Sequence, residues 1–354
     1  MNDIEKFYKN KKVFVTGHTG FKGSWLISVL LKYGSIVTGY SKNDYKRKNY
    51  EKFVNYKKVK NIYKDILDIK NLNLSIKRNR PDIIFHLAAQ PLVSDSYDNP
   101  LNTFKTNLIG SINVMEATRF CPQVKSLVMI TSDKCYHNKE IERGYREDDI
   151  LGGDDPYSAS KAAAEIAFNS YRKSFFSKNK RIGVATARAG NVIGGGDWSK
   201  DRLIPDCVRT IIEKKNLVIR NPKATRPWQH VLEPISGYLL LGKKLYKNPK
   251  KYTGSWNFGP KSREIKNVQE VARIVMKIID KKRKLKIIFK KGLFKESTLL
   301  KLNSNKANKK LKWRTRWTVN NSIKQTAIWY ESYLNKKNMN KLTQDQINYY
   351  FKQK

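Results

Sequence analysis

Three glycines near the start of the chain directly follow a hydrophobic run, and they restrict the folds that can contain them. Gly17, Gly20 and Gly23 stand in VFVTGHTGFKG, between the apolar run from Val13 and an amphipathic stretch that continues to Lys32. In a strand–turn–helix unit, the first glycine permits a tight turn, the second lets backbone approach a pyrophosphate, and the third lets helix pack closely on strand. The pattern predicts the first βαβ unit of a dinucleotide-binding domain. The alternative is that the glycines serve only a tight turn.

The first half of the chain alternates short apolar runs with longer helical patterns, which is typical of a doubly wound α/β sheet. Several runs are nearly continuous in apolar residues, as expected of parallel strands covered on both faces. The predicted strands are Val13–Gly17, Ile36–Tyr40, Asn61–Ile66, Ile83–Ala88, Leu127–Thr131 and Ile182–Arg188. The predicted helices are Gly20–Lys32, Asp68–Asn79, Asn99–Phe120 and Pro156–Phe176.

The pattern changes after about residue 190, where Gly, Pro and Trp become frequent in GNVIGGGDW, RNPKATRPWQH and GSWNFGP. We interpret these stretches as loops that carry substrate-binding groups, because loops are where a scaffold places such residues. Two later segments, Glu270–Lys281 and Asn321–Tyr333, are predicted to be helices. The predicted organisation is a Rossmann-type domain over 1–190 and a smaller mixed α/β domain over 191–354, with some segments after 191 returning to the first.

The chain is strongly basic, with 72 Lys and Arg against 30 Asp and Glu and a formal net charge of +42. A basic surface attracts nucleic-acid phosphates and anionic membranes. The excess is mostly Lys scattered along the whole chain, however, as an AT-rich coding sequence would produce. We therefore do not expect a nucleic-acid partner, and adhesion to a polyanion remains the alternative reading of the charge.

Several classes of protein are excluded by what the sequence lacks. No stretch reaches the ~18–20 uninterrupted apolar residues that a membrane-spanning helix needs, so no membrane span is expected. The N-terminus lacks the apolar run and cleavage site of a signal peptide. The three cysteines, Cys121, Cys135 and Cys207, are odd in number and widely spaced, unlike a disulfide framework or a zinc site. The sequence predicts a cytoplasmic protein with reduced thiols and no metal.

A second motif, Tyr157-Ser-Ala-Ser-Lys161, lies at the predicted start of a helix. A spacing of four places the phenol and the ammonium on one helical face, where the cation is expected to lower the tyrosine pKa and make Tyr157 a general base. The motif follows Ser132-Asp133-Lys134, at the end of a predicted parallel strand where open α/β sheets keep their active sites. A surface helix that carries Tyr and Lys by chance is the alternative.

The end of the second predicted strand bears on the choice between NAD and NADP. NAD-binding units hold a ribose hydroxyl with an acidic residue near this position. Here the chain reads Ser41-Lys42-Asn43-Asp44. Asp44 lies far along the loop, Ser41 and Asn43 are neutral hydrogen-bond partners, and Lys42 favours a 2′-phosphate. The residues themselves leave the choice open.

Together these motifs resemble the extended short-chain dehydrogenase/reductase family of NAD-dependent sugar-nucleotide epimerases and dehydratases. TGHTGFKG, FHLAAQ, TSDKCY, YSASK and RAGNVIGGGDW occur in the family's order, and the resemblance covers essentially the whole chain. Within the family, GHTGFKGSWL, TSDKCY, DRLIPD and RPWQHVLEP are most similar to the dehydratases that act on CDP-glucose. dTDP-glucose dehydratases carry Thr-Asp-Glu where this chain has Ser132-Asp133-Lys134.

The resemblance implies a lyase that uses tightly held NAD to remove water from CDP-glucose in deoxysugar biosynthesis for surface polysaccharides. C4 is oxidised, water is eliminated across C5 and C6, and the hydride returns to C6. Tyr157 is implied as the base at C4, Ser132 as a hydrogen-bond donor to the same oxygen, and Lys161 as the group that tunes Tyr157. Lys134 is implied as the base at C5 and Asp133 as the acid at C6.

The resemblance also implies the binding residues. The implied cofactor contacts are Gly17, Thr19, Gly20, Phe21, Lys22, Gly23, Asp65, Ile66, Ala88, Ala89, Gln90, Asn107, Tyr157 and Lys161. The implied substrate contacts are Asn191, Arg202, Leu203, Ile204, Arg226, Trp228, His230 and Asn257. Glu233 is a further candidate near the nucleotide ribose, whereas a structural role is the alternative for His230 and the expected one for His18 and His86.

Two other functions stay open at this point. A sugar-nucleotide 4-epimerase needs only Tyr157, Lys161 and Ser132, so Asp133 and Lys134 argue against it. A non-catalytic dinucleotide-binding protein with a basic surface would need none of these groups. Family members commonly pair through the helices around Phe104 and Tyr157, so a homodimer or homotetramer is expected. The nucleotide base of the substrate rests on resemblance alone.

Overall fold

Seven parallel strands form the centre of the computed structural model, which describes residues 3–42, 48–178, 181–219, 221–260, 265–280, 286–289 and 299–353. The strands are β1 Lys12–Thr16, β2 Ile36–Ser41, β3 Lys60–Tyr63, β4 Ile83–His86, β5 Ser126–Ile130, β6 Gly183–Arg188, β7 Val192–Ile193, β8 Leu217–Ile219, β9 Thr225–Arg226, β10 Gln229–His230, β11 Gly254–Asn257, β12 Lys266–Asn267 and β13 Ile287–Phe289. The helices are α1 Asp3–Tyr8, α2 Phe21–Lys32, α3 Lys48–Glu51, α4 Ile69–Asn79, α5 Val93–Asp98, α6 Pro100–Phe104, α7 Gly110–Arg119, α8 Pro156–Tyr171, α9 Leu203–Glu213, α10 Leu232–Lys247, α11 Pro249–Tyr252, α12 Val268–Ile279, α13 Val319–Leu334 and α14 Met339–Lys352.

The order of strands in the main sheet is β11–β6–β5–β4–β1–β2–β3, and every neighbouring pair is parallel. The chain winds outward from β1 in one direction to β3 and then in the other direction from β4. Ligands of open α/β sheets bind where this reversal leaves a crevice beyond the carboxyl ends of the strands. The topology therefore places the candidate site above β1 and β4.

Successive residues of a strand point to opposite faces of the sheet, and both faces are buried. Two hydrophobic clusters lie on the two faces. One face carries Phe14, Ile84, Leu127 and Met129, and the other carries Val13, Val15, Phe85 and Val128. The expectation of a doubly wound parallel sheet with helices on both sides is confirmed.

The predicted strands and helices all occur, with ends that shift by a few residues. The prediction of one helix over Asn99–Phe120 is corrected in its interior, since a π-helical turn at Lys105–Ile109 separates α6 from α7. π-turns are frequent at functional sites, and this one carries the buried Asn107.

The prediction that GSWNFGP is a loop is wrong. Gly254–Asn257 forms β11, which pairs in parallel with β6 at the edge of the main sheet. α10 also lies against β5 and β6. Parts of the chain beyond residue 191 therefore pack on the main sheet, whereas β7 and β10, β8 and β13, and β9 and β12 form three separate two-stranded sheets.

Three expectations, on membrane spans, cysteines and metals, concern the parts of the chain that the structure describes. None of the helices in the described ranges is long and apolar enough to cross a membrane. Cys121, Cys135 and Cys207 are free and buried. No group of three or more His, Cys, Asp or Glu among the described residues is arranged to hold a metal ion.

Candidate active site

The glycine loop between β1 and α2 passes so close to other backbone that side chains would not fit. Gly17 has a φ of +69°, and a Cβ there would lie 2.6 Å from the backbone nitrogen of Ala88. A Cβ on Gly23 would overlap the carbonyl oxygen of Gly17. At Gly20 the nearest atom would be 3.4 Å away. Two of the three glycines are thus required by tight packing of the loop itself.

The N-terminus of α2 opens at this loop. Its N-cap is Gly20, and no side chain caps the helix there. The first N–H groups of a helix have no partner inside the helix, and the helix dipole adds positive potential. This arrangement fits a phosphate group. The loop and helix end are consequently a suitable cradle for the pyrophosphate of a dinucleotide.

The polar groups at the end of β2 are engaged within the protein. The hydroxyl of Ser41 lies 2.9 Å from Thr19 Oγ1 and 3.1 Å from His18 Nδ1. Lys42 forms a 2.8 Å ion pair with Asp65. Lys42 is therefore paired with Asp65, one of the implied cofactor contacts, rather than standing alone as a phosphate ligand. Asn43 and Asp44, the other candidates for the ribose, lie outside the described residues.

The segment after β4 runs beside the glycine loop and is braced from behind. Ala88 N–H donates to Thr16 Oγ1, and Gln90 N–H donates to Asn107 Oδ1 at 2.9 Å. The Asn107 amide donates in turn to Gln90 O and to Ser160 Oγ. The amide of Asn107 therefore braces this segment against α8, and its contact with the cofactor stays a prediction.

Asp133, in the bend after β5, is buried and hydrogen-bonded. Its carboxylate accepts a 3.0 Å hydrogen bond from Ser132 Oγ and a 3.4 Å hydrogen bond from the Asn191 amide. A Cβ on Gly190 would overlap this carboxylate. Lys134 N–H donates to Ser132 Oγ. The bend after β5 therefore presents an acid, a hydroxyl and a half-buried ammonium together.

Tyr157 and Lys161 both lie on the first turns of α8 and are buried. Burial raises the pKa of Tyr157 to about 12, and a hydrogen bond with Ser132 opposes that shift. Burial, with the charge of Lys22, lowers the pKa of Lys161 to about 8. The expectation that Lys161 holds the Tyr157 pKa low is therefore corrected, because burial of the phenol dominates in this structure.

Three cations, Lys22, Lys161 and Arg202, lie near this acid and phenol. Lys22, in the first turn of α2, has its pKa lowered to about 8 by burial and by Arg202, while Asp133 and Asp197 oppose the change. Arg202 forms a 2.7 Å ion pair with Asp197. The structure thus brings residues of the start of α2, the β5 end, α8 and the segment before α9 into one electrostatic cluster.

The other predicted substrate residues are more dispersed. Arg226, on β9, is half-buried and donates to the carbonyl of Thr225 at 3.0 Å. The indole of Trp228 is buried and donates to Lys266 O. Ile204 is buried in the hydrophobic core, whereas Leu203 packs on that core and is only partly buried.

Three polar candidates of the predicted substrate site are buried and packed against other parts of the protein, and their contact with substrate stays a prediction. The His230 ring packs between Trp25 and Trp317. The Asn257 amide bonds to Tyr136, Tyr145 and Asn303.

Glu233, the third of these, accepts hydrogen bonds from the backbone N–H groups of Arg316 and Trp317 and from the Tyr350 hydroxyl. All three side chains therefore contact other residues of the protein interior.

Reasoning from sequence missed four residues that shape the site. Gly190 makes room for Asp133, and Asp197 holds Arg202. Glu165 and Arg188 form a buried 2.7 Å ion pair, and Glu165 accepts a hydrogen bond from Thr131, the residue before Ser132. The sequence did offer a way to find Glu165, because it lies four residues after Lys161 and so on the same face of α8.

The chain is similar to known enzymes over almost its whole length. A family model described as GDP-mannose 4,6 dehydratase matches residues 14–326. A protein of Salmonella typhimurium named CDP-glucose 4,6-dehydratase is 40% identical over 340 residues, which cover 95% of this chain and 94% of that relative.

Solved structures of two sugar-nucleotide enzymes share the fold. A dTDP-glucose 4,6-dehydratase from Bacillus anthracis in complex with NAD has a TM-score of 0.76 at 22% identity, covering 91% of this chain and 97% of that one. A UDP-glucuronic acid 4-epimerase from Bacillus cereus, in complex with UDP-glucuronic acid and NAD, has a TM-score of 0.77 at 21% identity, covering 91% and 99%.

Glu233 generates a prediction about stability and pH. Burial raises the pKa of Glu233 to about 7 from 4.5, so the folded state binds a proton more tightly than the unfolded state. This contribution to stability is complete below the unfolded pKa and is lost as the pH rises through the folded pKa. The free energy of unfolding of the wild type should therefore fall by up to about 3 kcal/mol as the pH rises, and replacing Glu233 by Gln should remove this fall.

Urea unfolding at a series of pH values between about 4 and 8 measures this effect. The free energy of unfolding of the wild type should fall relative to that of Glu233→Gln as the pH rises. The exposed Glu213 supplies a control, Glu213→Gln, that should follow the wild type. A difference between wild type and Glu233→Gln that stays constant with pH would contradict the prediction.

Proposed function

The chain belongs to the GDP-mannose 4,6 dehydratase family, and from that premise we propose that it removes water from CDP-glucose to give CDP-4-dehydro-6-deoxyglucose, an intermediate of deoxysugar biosynthesis. The observation that carries the proposal is the enclosed Asp133 carboxylate, next to Lys134 and within the electrostatic environment of Tyr157. Dehydration of a hexose needs an acid and a base beyond the groups that oxidise C4. We assign these roles to Asp133 and Lys134.

NAD is the cofactor, and when bound it accepts the hydride from C4 of the sugar and later returns it to C6. The glycine loop and the uncapped end of α2 would hold the pyrophosphate, because Gly20 at the start of the helix is exposed and no side chain caps the helix there. Phe21 and Lys22 follow in the first turn of the same helix.

Oxidation of C4 needs a base for the hydroxyl proton. Tyr157 takes that proton, and Ser132 hydrogen-bonds the same oxygen. A buried phenolate is costly, and burial accordingly raises the Tyr157 pKa. The positive charges of Arg202, Lys22 and Lys161 gather at this site, and cations beside a phenolate reduce the cost of forming it.

Elimination follows because the C5 hydrogen is then adjacent to a ketone and acidic. Lys134 removes the C5 proton as the C5–C6 double bond forms. Asp133 gives a proton to the departing C6 hydroxyl, which leaves as water. Ser132 and Asn191 hold the Asp133 carboxylate in place, so the acid is positioned before the substrate arrives.

The nucleotide part of the substrate is assigned to Arg226, Trp228 and Asn191. A guanidinium binds diphosphate through two parallel hydrogen bonds, and Arg226 is the half-buried arginine in the β9–β10 segment. The choice of cytidine rests on similarity to the Salmonella typhimurium relative.

Product analysis tests the proposed reaction. Purified protein is incubated separately with CDP-glucose, dTDP-glucose and GDP-mannose, and the products are weighed by mass spectrometry. We expect CDP-glucose alone to lose one water. Loss of water from another sugar nucleotide would overturn the nucleotide assignment. A product of unchanged mass, with inverted configuration at C4, would instead show a 4-epimerase.

Lys134→Ala separates the two halves of the mechanism. Without the base at C5, C4 oxidation should proceed and elimination should stall, because Tyr157 and Ser132 remain intact. We expect turnover to fall by about 10²-fold or more, with reduced cofactor accumulating at 340 nm on mixing with substrate. Tyr157→Phe is the control, since it should abolish turnover without that accumulation. An unaltered dehydration rate in Lys134→Ala would remove Lys134 from the mechanism.

The assembly that we propose is a homodimer formed through the helices around Phe104 and Tyr157. α5, α6 and α8 pack together, and they expose large apolar side chains. Leu101 on α6 is 67% exposed, Tyr97 on α5 is 60% exposed and Ile166 on α8 is 59% exposed. Exposed apolar residues gathered on one surface mark contacts between proteins.

Sedimentation velocity tests the dimer. We expect Leu101→Glu combined with Ile166→Glu to give a monomer, because charged side chains in an apolar interface must be desolvated. Val218→Glu is the matched control, since Val218 is 46% exposed on β8, away from these helices. A dimer that persists in the double variant, or a wild-type monomer, would refute this interface.

A further inference from the structure

The proposed catalytic groups come from two separate parts of the chain. Ser132, Asp133 and Lys134 follow β5, whereas Tyr157 and Lys161 are on α8. Since dehydration requires both sets to act on neighbouring carbons of one sugar, their relative position matters. Catalysis is sensitive to displacements of about 1 Å. The structure must therefore hold the two sets together from outside the site.

One buried carboxylate joins α8 to the strand that carries the triplet. Glu165 stands one helical turn after Lys161 and is fully buried. Its Oε1 accepts a 2.6 Å hydrogen bond from Thr131, the residue just before Ser132. Its Oε2 accepts bonds from Thr186 at 2.9 Å and from Arg188 at 2.7 Å, and a longer one from Ser255 at 3.3 Å.

The guanidinium of Arg188 continues the connection to the other side of the triplet. Arg188 is 1% exposed. Its Nη1 donates to the hydroxyl of Tyr136 at 2.6 Å and to Glu147 O at 3.1 Å. The Tyr136 hydroxyl donates to Asn257 Oδ1 at 2.8 Å. Tyr136 comes two residues after Lys134, so both flanks of the triplet reach the same ion pair.

Stability alone is a weak reason for such a pair. Desolvation of two charges offsets most of their attraction, and well-packed apolar residues often serve as well. The pair instead orients the residues that flank the triplet, since the Thr131 hydroxyl must point at Glu165 and the Tyr136 hydroxyl at Arg188. Hydrogen bonds in a buried network have well-defined geometry and leave little freedom to the groups that join it.

We propose that Glu165 and Arg188 are positioning residues, which set the place of Ser132, Asp133 and Lys134 relative to Tyr157 and Lys161 through the hydroxyls of Thr131 and Tyr136. The inference rests on the proposed function for its catalytic consequence. Loss of either hydroxyl should let the triplet shift, and elimination should suffer more than C4 oxidation, because elimination depends on Lys134 and Asp133.

The network offers a matched pair of variants for the test. Thr131→Val and Thr186→Val each remove one hydroxyl from Glu165 and keep the side-chain shape. Only Thr131 adjoins the triplet, while Thr186 lies within β6. Glu165 and Arg188 are left intact, because removal of one buried charge leaves the other unpaired and endangers folding.

We expect Thr131→Val to lower kcat about tenfold or more with little change in KM, and to accumulate reduced cofactor. Thr186→Val should lose a similar amount of stability in urea yet keep kcat within about twofold. Tyr136→Phe should behave like Thr131→Val. Equal effects of the two threonine variants on kcat would overturn the proposal, because the network would then act through stability only.

Hydrogen–deuterium exchange gives a second readout that needs no turnover. Amide exchange across residues 132–136 should speed up in Thr131→Val and Tyr136→Phe and stay at the wild-type rate in Thr186→Val. Identical exchange in all variants would overturn the positioning role. If the wild type dehydrates no sugar nucleotide, the proposed function fails, and the exchange experiment still decides whether the pair positions the triplet.

Discussion

The close approach of the glycine loop to the segment after β4 is the constraint on which the candidate site depends. Gly17 adopts a positive φ and leaves no room for a side chain against Ala88. This contact lies beyond the carboxyl ends of the paired strands β1 and β4, at the point where the strand order reverses. The uncapped end of α2 and the bend after β5 then border one crevice. A bulkier loop would separate the phosphate cradle from the catalytic groups.

Acidic and basic side chains are interspersed around the candidate site, in a chain that is strongly basic as a whole. Asp133 and Asp197 lie among Lys22, Lys161 and Arg202. The pKa of Lys22, for example, is lowered by Arg202 and raised by the two carboxylates. Burial lowers the pKa of both lysines and raises the pKa of Tyr157. Charged forms in this site are therefore held by neighbours rather than by water, which suits a site that moves protons between sugar and side chains.

Sequence reasoning predicted the six strands of the doubly wound core and the helices between them, because period and apolar runs are local properties. It failed at β11, where four residues rich in turn-forming types complete the sheet. Their strand conformation depends on pairing with β6, which lies about 70 residues earlier in the chain. It also missed the ion pair of Glu165 and Arg188, since the two partners come from separate elements.

The sequence by itself determined which motifs end strands and open helices, and hence that Gly17, Ser132 and Tyr157 meet at one edge of a parallel sheet. It also determined the spacing of Tyr157 and Lys161 on α8. Only the tertiary structure decided which polar residues of the later motifs face the crevice. His230 and Glu233 are enclosed by α2, the segment before α13 and α14. The burial of these two side chains depends on packing between segments that are distant in sequence, so it cannot be predicted from a local sequence pattern.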